Sequence, residues 1–180
     1  MENNNAIFAG GCFWCTESDL KKVEGVIDAI SGYTGAKEGS PTYENHGGYR
    51  EATKVVYDAQ KVTFKKLCQF FLDHIDPTDA GGQFHDRGDS YKTAIYYKNE
   101  EEKSVVQSLI KELSDSGIYD KPITVEILPE GMFYNAEDYH QEYAKKNPVH
   151  YGAYRAASGR EDFVARVCQI REEKKINWKD

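Results

Sequence analysis

A chain of 180 residues can bury one substantial core and needs no second domain. Its 23 Lys and Arg stand against 30 Asp and Glu, a net charge of -7 with no basic block, which argues against nucleic acid and anionic membranes as partners. The N-terminus has no basic leader and no run of about 18 apolar residues occurs, so the expected setting is the cytoplasm, where four cysteines read as buried hydrophobes, metal ligands or redox groups rather than a disulfide framework.

Residues 6–9, Ala-Ile-Phe-Ala, form a short apolar strand that runs into Gly10-Gly11 and then Cys12-Phe13-Trp14-Cys15, the opening of a helix continuing to Gly25. Cys12 therefore sits at or just before a helix N-terminus, where free N–H groups and the helix dipole favour the thiolate. Phe13 and Trp14 wall the sulfur with apolar surface, which suits a substrate bearing a small apolar group beside an electrophilic atom. Residues 25–33 read as a second strand, and the polar stretch to Gly48 as a loop long enough to be functional. A β-branched strand covers 51–58. An amphipathic helix over 63–75 follows, with Phe64, Leu67, Cys68, Phe71 and Ile75 on its apolar face.

A second long polar loop spans 76–91, then come a strand at 93–97, a helix at 100–116 and a strand at 123–128. Residues 136–143 open a short last helix. Beyond Asn147-Pro148 the chain reads as extended until 162–173. The second and third strands adjoin with no helix between them, so the expected fold is α+β, a two-layer α/β sandwich of the split βαβ (ferredoxin-like) type with long functional loops. Residues 1–180 form a single catalytic domain in this reading, with a mobile C-terminal tail over 150–180 that carries Cys168.

The run Gly10-Gly11-Cys12-Phe13-Trp14-Cys15 closely resembles the active-site signature of the A-type peptide methionine sulfoxide reductases. Three further segments match in the same order: Pro41-Thr42-Tyr43-Glu44, Asp86-Arg87-Gly88-Asp89-Ser90-Tyr91 and Phe133-Tyr134-Asn135-Ala136-Glu137-Asp138-Tyr139-His140-Gln141. The resemblance implies that Cys12 attacks the sulfur of methionine-S-sulfoxide, free or in oxidised proteins, releases methionine and becomes a sulfenic acid. It further implies that Glu51 is the proton donor, that Tyr43 and Tyr91 hydrogen-bond the sulfoxide oxygen, that Asp86 organises the site, and that Phe13 and Trp14 cradle the ε-methyl group. For Glu51 to hold a proton near neutrality its surroundings must raise its pKa, most simply by burial. The family commonly reads Thr-Gly-His-x-Glu before this acid, whereas here the run is Gly47-Gly48-Tyr49-Arg50-Glu51; Glu44 is the weaker alternative.

Some family members place the resolving cysteine at the position of Cys15, and others near the C-terminus; this chain has both Cys15 and Cys168. Side chains at i and i+3 of a helix lie ~5–6 Å apart at Cβ, while a disulfide needs ~3.5–4.5 Å. A Cys12–Cys15 bond would thus require the first turn to loosen, with Gly10 and Gly11 supplying slack. Cys15 is the favoured resolver, and Cys168 either relays the disulfide outward or is simply packed. Thioredoxin would then reduce the enzyme, with no bound cofactor.

Cys68 reads as core. His85 is a surface or hydrogen-bonded residue, His140 and Glu137 are structural or supporting, and Trp178 is disordered or an interaction residue. Two other functions compete. Cys12-Phe13-Trp14-Cys15 is also the Cys-x-x-Cys of a thioredoxin-like disulfide oxidoreductase, which leaves Tyr43, Glu51 and Asp86 without a role. A non-catalytic metal-binding module would need about four ligands, and no second cysteine pair is present. A monomer is the expected state.

Overall fold

The structure, a computed structural model, describes residues 3–35 and 39–178. In chain order its elements are β1 (Asn3–Ala9), α1 (Phe13–Leu20), β2 (Val26–Gly35), β3 (Arg50–Asp58), α2 (Phe64–Asp73), β4 (Gly82–Gln83), β5 (Asp86–Arg87), β6 (Ala94–Tyr97), α3 (Glu100–Asp115), β7 (Glu126–Pro129), β8 (Met132–Asn135), α4 (Tyr143–Lys146), α5 (Pro148–Ser158) and α6 (Arg160–Lys174). A 3-10 turn at Asp89–Tyr91 precedes β6. Six strands form one mixed sheet in the order β7-β6-β1-β3-β2-β8, and β4 and β5 pair separately. Only β6 and β7 run parallel; the other neighbours in the large sheet are antiparallel.

The pleat sends alternate side chains of each strand to opposite faces. On one face Phe8, Ala6, Ala29 and Val55 meet Leu67, Phe71 and Leu72 of α2 and Leu109 and Leu113 of α3. Phe8 and Phe71 sit with ring centroids 5.0 Å apart. On the other face Ile7, Ala9, Ala52, Ala94 and Tyr96 make a smaller cluster. The helices begin where the sequence offers caps: Thr63 accepts from the Lys66 amide ahead of α2, and Asn99 from the Glu102 amide ahead of α3, whose first turn holds Glu100, Glu101 and Glu102 against the positive end of the dipole.

The C-terminal third departs most from the sequence reading. Instead of an extended chain, residues 148–158 are α5, entered at Pro148 and closed by Gly159 in the left-handed conformation (φ 79°), which turns the chain straight into α6. Val167 is buried against the main core, and Trp178 does not hang free: its indole N–H donates to Asp73 (2.8 Å) and the Arg171 guanidinium lies over its ring at 4.4 Å. The helix expected over 136–143 is confined to α4, preceded by turns, and the strand expected over 123–128 begins only at Glu126 because the Thr124 amide is drawn off to the Pro77 carbonyl (2.7 Å). β8 and the β4–β5 pair have no counterpart in that reading. Among the described residues no helix is long and apolar enough to cross a membrane.

Phe8 is fully buried between the sheet and the Phe64 and Phe71 rings. Phe8→Ala should therefore cost about 3–5 kcal/mol of unfolding free energy, read as a lower urea midpoint with an unchanged denaturant slope. A loss below about 1 kcal/mol would mean that this face is not the principal core.

Candidate active site

The cleft is built where β1 ends. Gly11 takes φ 80°, a conformation open to glycine, and a Cβ there would lie 2.5 Å from Cβ of Gln83. The tight turn delivers Cys12 to the N-cap of α1 with non-helical dihedrals (φ -54°, ψ 119°), so its sulfur stands outside the first helical turn. Register does the rest. Phe8 pairs with Thr53, which sets the start of β3, and with it Glu51, beside the glycine turn. Glu51 is 2% exposed and accepts the Phe13 amide at 3.0 Å. The first free amide of α1 therefore serves a carboxyl and not the Cys12 sulfur.

Eight residues line this one cleft, about 60 Å³ of free space: Cys12, Phe13, Trp14, Tyr43, Glu51, Asp86, Tyr91 and Tyr154. Seven of them are the residues singled out from the sequence. The loop after β2 brings Tyr43, whose amide donates to Glu137 (2.8 Å), and the same carboxylate accepts the Tyr33 hydroxyl at 2.9 Å. β5 brings Asp86, and the 3-10 turn brings Tyr91. Phe13 packs into a buried cluster with Tyr33 and Tyr49. Trp14 stacks on Tyr143 with centroids 3.8 Å apart and planes 7° from parallel, while its indole N–H donates to Nδ1 of His140 (3.0 Å). His140 and Glu137 thus hold the walls of the cleft rather than line it.

Tyr154 is the lining residue that sequence reasoning missed. It comes from α5, and its hydroxyl donates to Asp86 while also lying in hydrogen-bonding contact with Cys12. No local motif marks it; it became visible only once the tail folded back.

Burial pushes Glu51 up to about 8, with the Asp86 charge adding to the effect and the Phe13 amide and Tyr91 hydroxyl opposing it. It is a neutral acid at pH 7. Burial likewise raises Cys12 well above an ordinary thiol, joined by its hydrogen bond to Cys15 and by the charges of Cys15 and Glu51; only Tyr154 pulls the other way. Cys15 is lowered to about 6, because the Cys12 thiol donates to it and because Arg160 and Arg155 favour negative charge there, against burial and Asp19. Against the expectation of a resting thiolate on Cys12, these surroundings favour the negative charge on Cys15, and the two sulfurs titrate as one pair. Cys12 and Cys15 are both free and buried, as is Cys68 in α2, while Cys168 is exposed on α6 and lines no part of the cleft, so the packed reading of Cys168 is overturned. Among the described residues no group of three or more His, Cys, Asp or Glu could hold a metal ion.

A sequence model of the family described as peptide methionine sulfoxide reductase matches residues 4–172. The chain belongs to this family, in its A type. The peptide methionine sulfoxide reductase MsrA of Bacillus velezensis is 48% identical over 163 residues, 88% of this chain and 92% of that protein. Bacillus subtilis MsrA is 44% identical over 164 residues, 89% and 93% of the two chains. Among solved structures, methionine sulfoxide reductase A of Corynebacterium diphtheriae superposes with a TM-score of 0.71 at 31% identity, covering 82% of this chain and 76% of that one. Reduced Mxr1 of Saccharomyces cerevisiae gives 0.75 at 27%, covering 82% and 87%. Mxr1 in complex with Trx2 shares the fold at 20% identity and a TM-score of 0.55, covering 79% and 86%. The architecture is thus the mixed α/β fold of this reductase family, with the Cys12 cleft at one end of β1.

The buried acid has a measurable consequence for folding. Folded Glu51 keeps its proton up to about pH 8, whereas in the unfolded chain it ionises above its usual 4.5, so the native state holds the extra proton between these values and stability falls as pH rises through the window. Glu51→Gln, which carries no charge, should gain on wild type by a few kcal/mol between about pH 5 and pH 8, and the two urea midpoints should converge near pH 4. A pH-independent difference between them would refute the raised pKa.

Proposed function

We propose that this chain reduces methionine-S-sulfoxide, in proteins and free, to methionine. The observation that carries this reading is the pairing of a buried, neutral Glu51 with the Cys12 sulfur in one small cleft walled by aromatics. A thiolate attacking a sulfoxide sulfur must otherwise expel hydroxide, so the reaction needs an acid that still holds its proton at pH 7 and donors for the oxygen. Glu51 gives the proton, and the hydroxyls of Tyr43 and Tyr91 hold the oxygen. Phe13 and Trp14 take the methyl group. With the methyl and oxygen sites fixed, only one epimer presents its sulfur to Cys12, consistent with one enzyme serving each epimer. Asp86 accepts the Tyr154 hydroxyl and so fixes that phenol beside Cys12 in the cleft.

The S–O bond passes its oxygen to Cys12, methionine leaves, and Cys12 becomes a sulfenic acid. Cys15 then displaces that oxygen as water and closes a Cys12–Cys15 disulfide. The loosening this ring needs is supported by the N-cap position of Cys12, already outside the helix. Thioredoxin, the class of partner seen with the family member Mxr1, reopens the disulfide by exchange. Exposed Cys168 could take the disulfide onward only if the tail moved, so Cys15 is the first resolver and Cys168 no more than a second station. We read residues 1–180 as one catalytic unit, monomeric, acting in the cytoplasm in repair of oxidised protein. Within its sheet, β1-α1-β2 and β3-α2-β6 each enclose one intervening strand, which supports two interlocked split βαβ units of the ferredoxin-like kind.

A single turnover without reductant tests the scheme. Given excess of each epimer separately, wild type should form one methionine per chain from the S epimer only, with two thiols lost. Cys12→Ser should form none, and Cys15→Ser should form one methionine while losing one thiol. Glu51→Gln should lower kcat by about 10²–10⁴-fold. No methionine from either epimer, in a protein that still exchanges disulfides, would replace this reading with that of a thioredoxin-like oxidoreductase.

A further inference from the structure

Arg160, the first residue of α6, is 2% exposed and among the largest fully buried side chains in the protein. Its guanidinium donates to two backbone carbonyls, those of Gly10 (2.8 Å) and His74 (2.9 Å), and lies over the Phe84 ring at 4.7 Å. Among the described residues it forms no ion pair with a carboxylate. That is unusual chemistry, because a buried cation ordinarily needs a paired anion to offset its lost hydration. Arg155 of α5, its neighbour in the same region, shows the ordinary arrangement: it pairs with buried Asp19 at 3.0 Å and also donates to the Tyr151 hydroxyl at 3.0 Å.

The missing anion is close by. A Cβ on Gly11 would lie 3.2 Å from the Arg160 Nη2, so the guanidinium sits against the turn that carries Cys12, on the side of α1 where Thr16 and Asp19 line a small gap with it. Cys15, fully buried, feels its charge. The charged and titratable groups facing Cys15 are Cys12 from the turn, Asp19 from α1, Glu51 from β3, Tyr143 from α4, Tyr151, Tyr154 and Arg155 from α5, and Arg160 from α6. Asp19 and Arg155 neutralise one another, and Glu51 holds its proton at pH 7. The permanent charge in the set without an ion-pair partner is Arg160.

We infer that Arg160 is a positioning residue whose buried guanidinium is the standing counter-charge of a Cys15 thiolate, so that Cys15 is poised to resolve oxidised Cys12. This rests on the reductase reading above. In the step it serves, the Cys15 thiolate forms an S–S bond to the Cys12 sulfur as the S–O bond of the sulfenic acid breaks. Cys15 is oxidised, the sulfenic sulfur is reduced, and the departing hydroxide takes a proton from solvent to leave as water. The same guanidinium ties the Gly10 carbonyl, so one side chain from the last helix fixes both the turn under Cys12 and the charge of its resolver.

The test compares wild type, Arg160→Gln and Arg160→Lys, each loaded with excess methionine-S-sulfoxide without reductant, with methionine and lost thiols followed in time from pH 6 to pH 9. The rate at which the second thiol disappears should be flat above about pH 6.5 in wild type and in Arg160→Lys. In Arg160→Gln it should be about tenfold slower near pH 6, climb with pH, and overtake wild type near pH 9, because a more basic thiolate is scarcer but more nucleophilic. A flat profile in Arg160→Gln, or one slowed equally at every pH, would overturn the inference, the latter leaving Arg160 a purely structural tie. Should Arg160→Gln fail to fold, the other two decide: flat profiles uphold the counter-charge, and a wild-type rate still climbing through pH 8 overturns it. No methionine from wild type would refute the reductase reading instead. The ultraviolet thiolate band, titrating near pH 6 in wild type and higher in Arg160→Gln, would still report on Arg160.

Discussion

Glu51 is a carboxyl withdrawn from water beside a sulfur that must also be withdrawn from water, and most of the molecule's irregular structure exists to keep both dry. A strand end is normally open. Here β3 begins under the first turn of α1, the loop after β2 lays Tyr43 over it, the 3-10 turn adds Tyr91, and α5 closes the remaining side with Tyr154. Each covering group is a phenol or an aromatic, apolar enough to exclude solvent and able to leave one hydroxyl where a polar substrate atom would sit. The long loops are therefore lids made of tyrosine, pinned by side chains outside the cleft: Glu137 on Tyr43, His140 on Trp14, Gln83 on the Asp76 backbone.

That demand also explains what could be read in the sequence. Cys12, Phe13 and Trp14 are contiguous, and Asp86 and Tyr91 are five residues apart, so each group lies within a stretch short enough for pattern to betray it. Glu51 was legible from the β-branched strand that follows, although the usual residues before it are absent. Tyr154 and Arg160 were not legible, because their meaning lies in partners about 70 and 150 residues away, Asp86 and Gly10. α5 and α6 did carry signals, Pro148 at a first helical position and Gly159 at a left-handed cap. Those signals lost to the lack of an apolar stripe: in α6 a single residue, Val167, reaches the main core, among Arg, Glu and Lys. β8 was hidden for a related reason. Met132-Phe133-Tyr134-Asn135 is four residues at an edge, held by pairing with the far end of β2 and not by any periodicity of its own.

Helix-dipole reasoning put the thiolate on Cys12 because it counted the free amides at the start of α1. The structure spends the Phe13 amide on Glu51, which cannot be buried without some hydrogen-bond partner, and so the Glu51 carboxyl and the Cys12 sulfur compete for one donor. The competition resolves in favour of the carboxyl. Cys12 is left with Tyr154 and with a sulfur neighbour, and Arg160 and Arg155 favour negative charge on the Cys15 side of the pair.

On the proposed route this division of charge is useful at both steps. A Cys15 thiolate that already accepts a hydrogen bond from the Cys12 thiol is placed to take that proton as Cys12 attacks, so the nucleophile is generated only when a substrate is there to consume it. A permanently charged Cys12 would be open to any passing oxidant, and a buried charge beside Glu51 would raise the acid further and blunt its ability to donate. After methionine leaves, Cys15 must shed the proton again before it can close the disulfide, and the cation that favours this is fixed by two backbone carbonyls rather than by an acid that would neutralise it. The helical tail is therefore chemically part of the site: α5 supplies the hydroxyl between Asp86 and Cys12, α6 supplies the charge behind Cys15, and the left-handed Gly159 between them sets the angle at which both arrive.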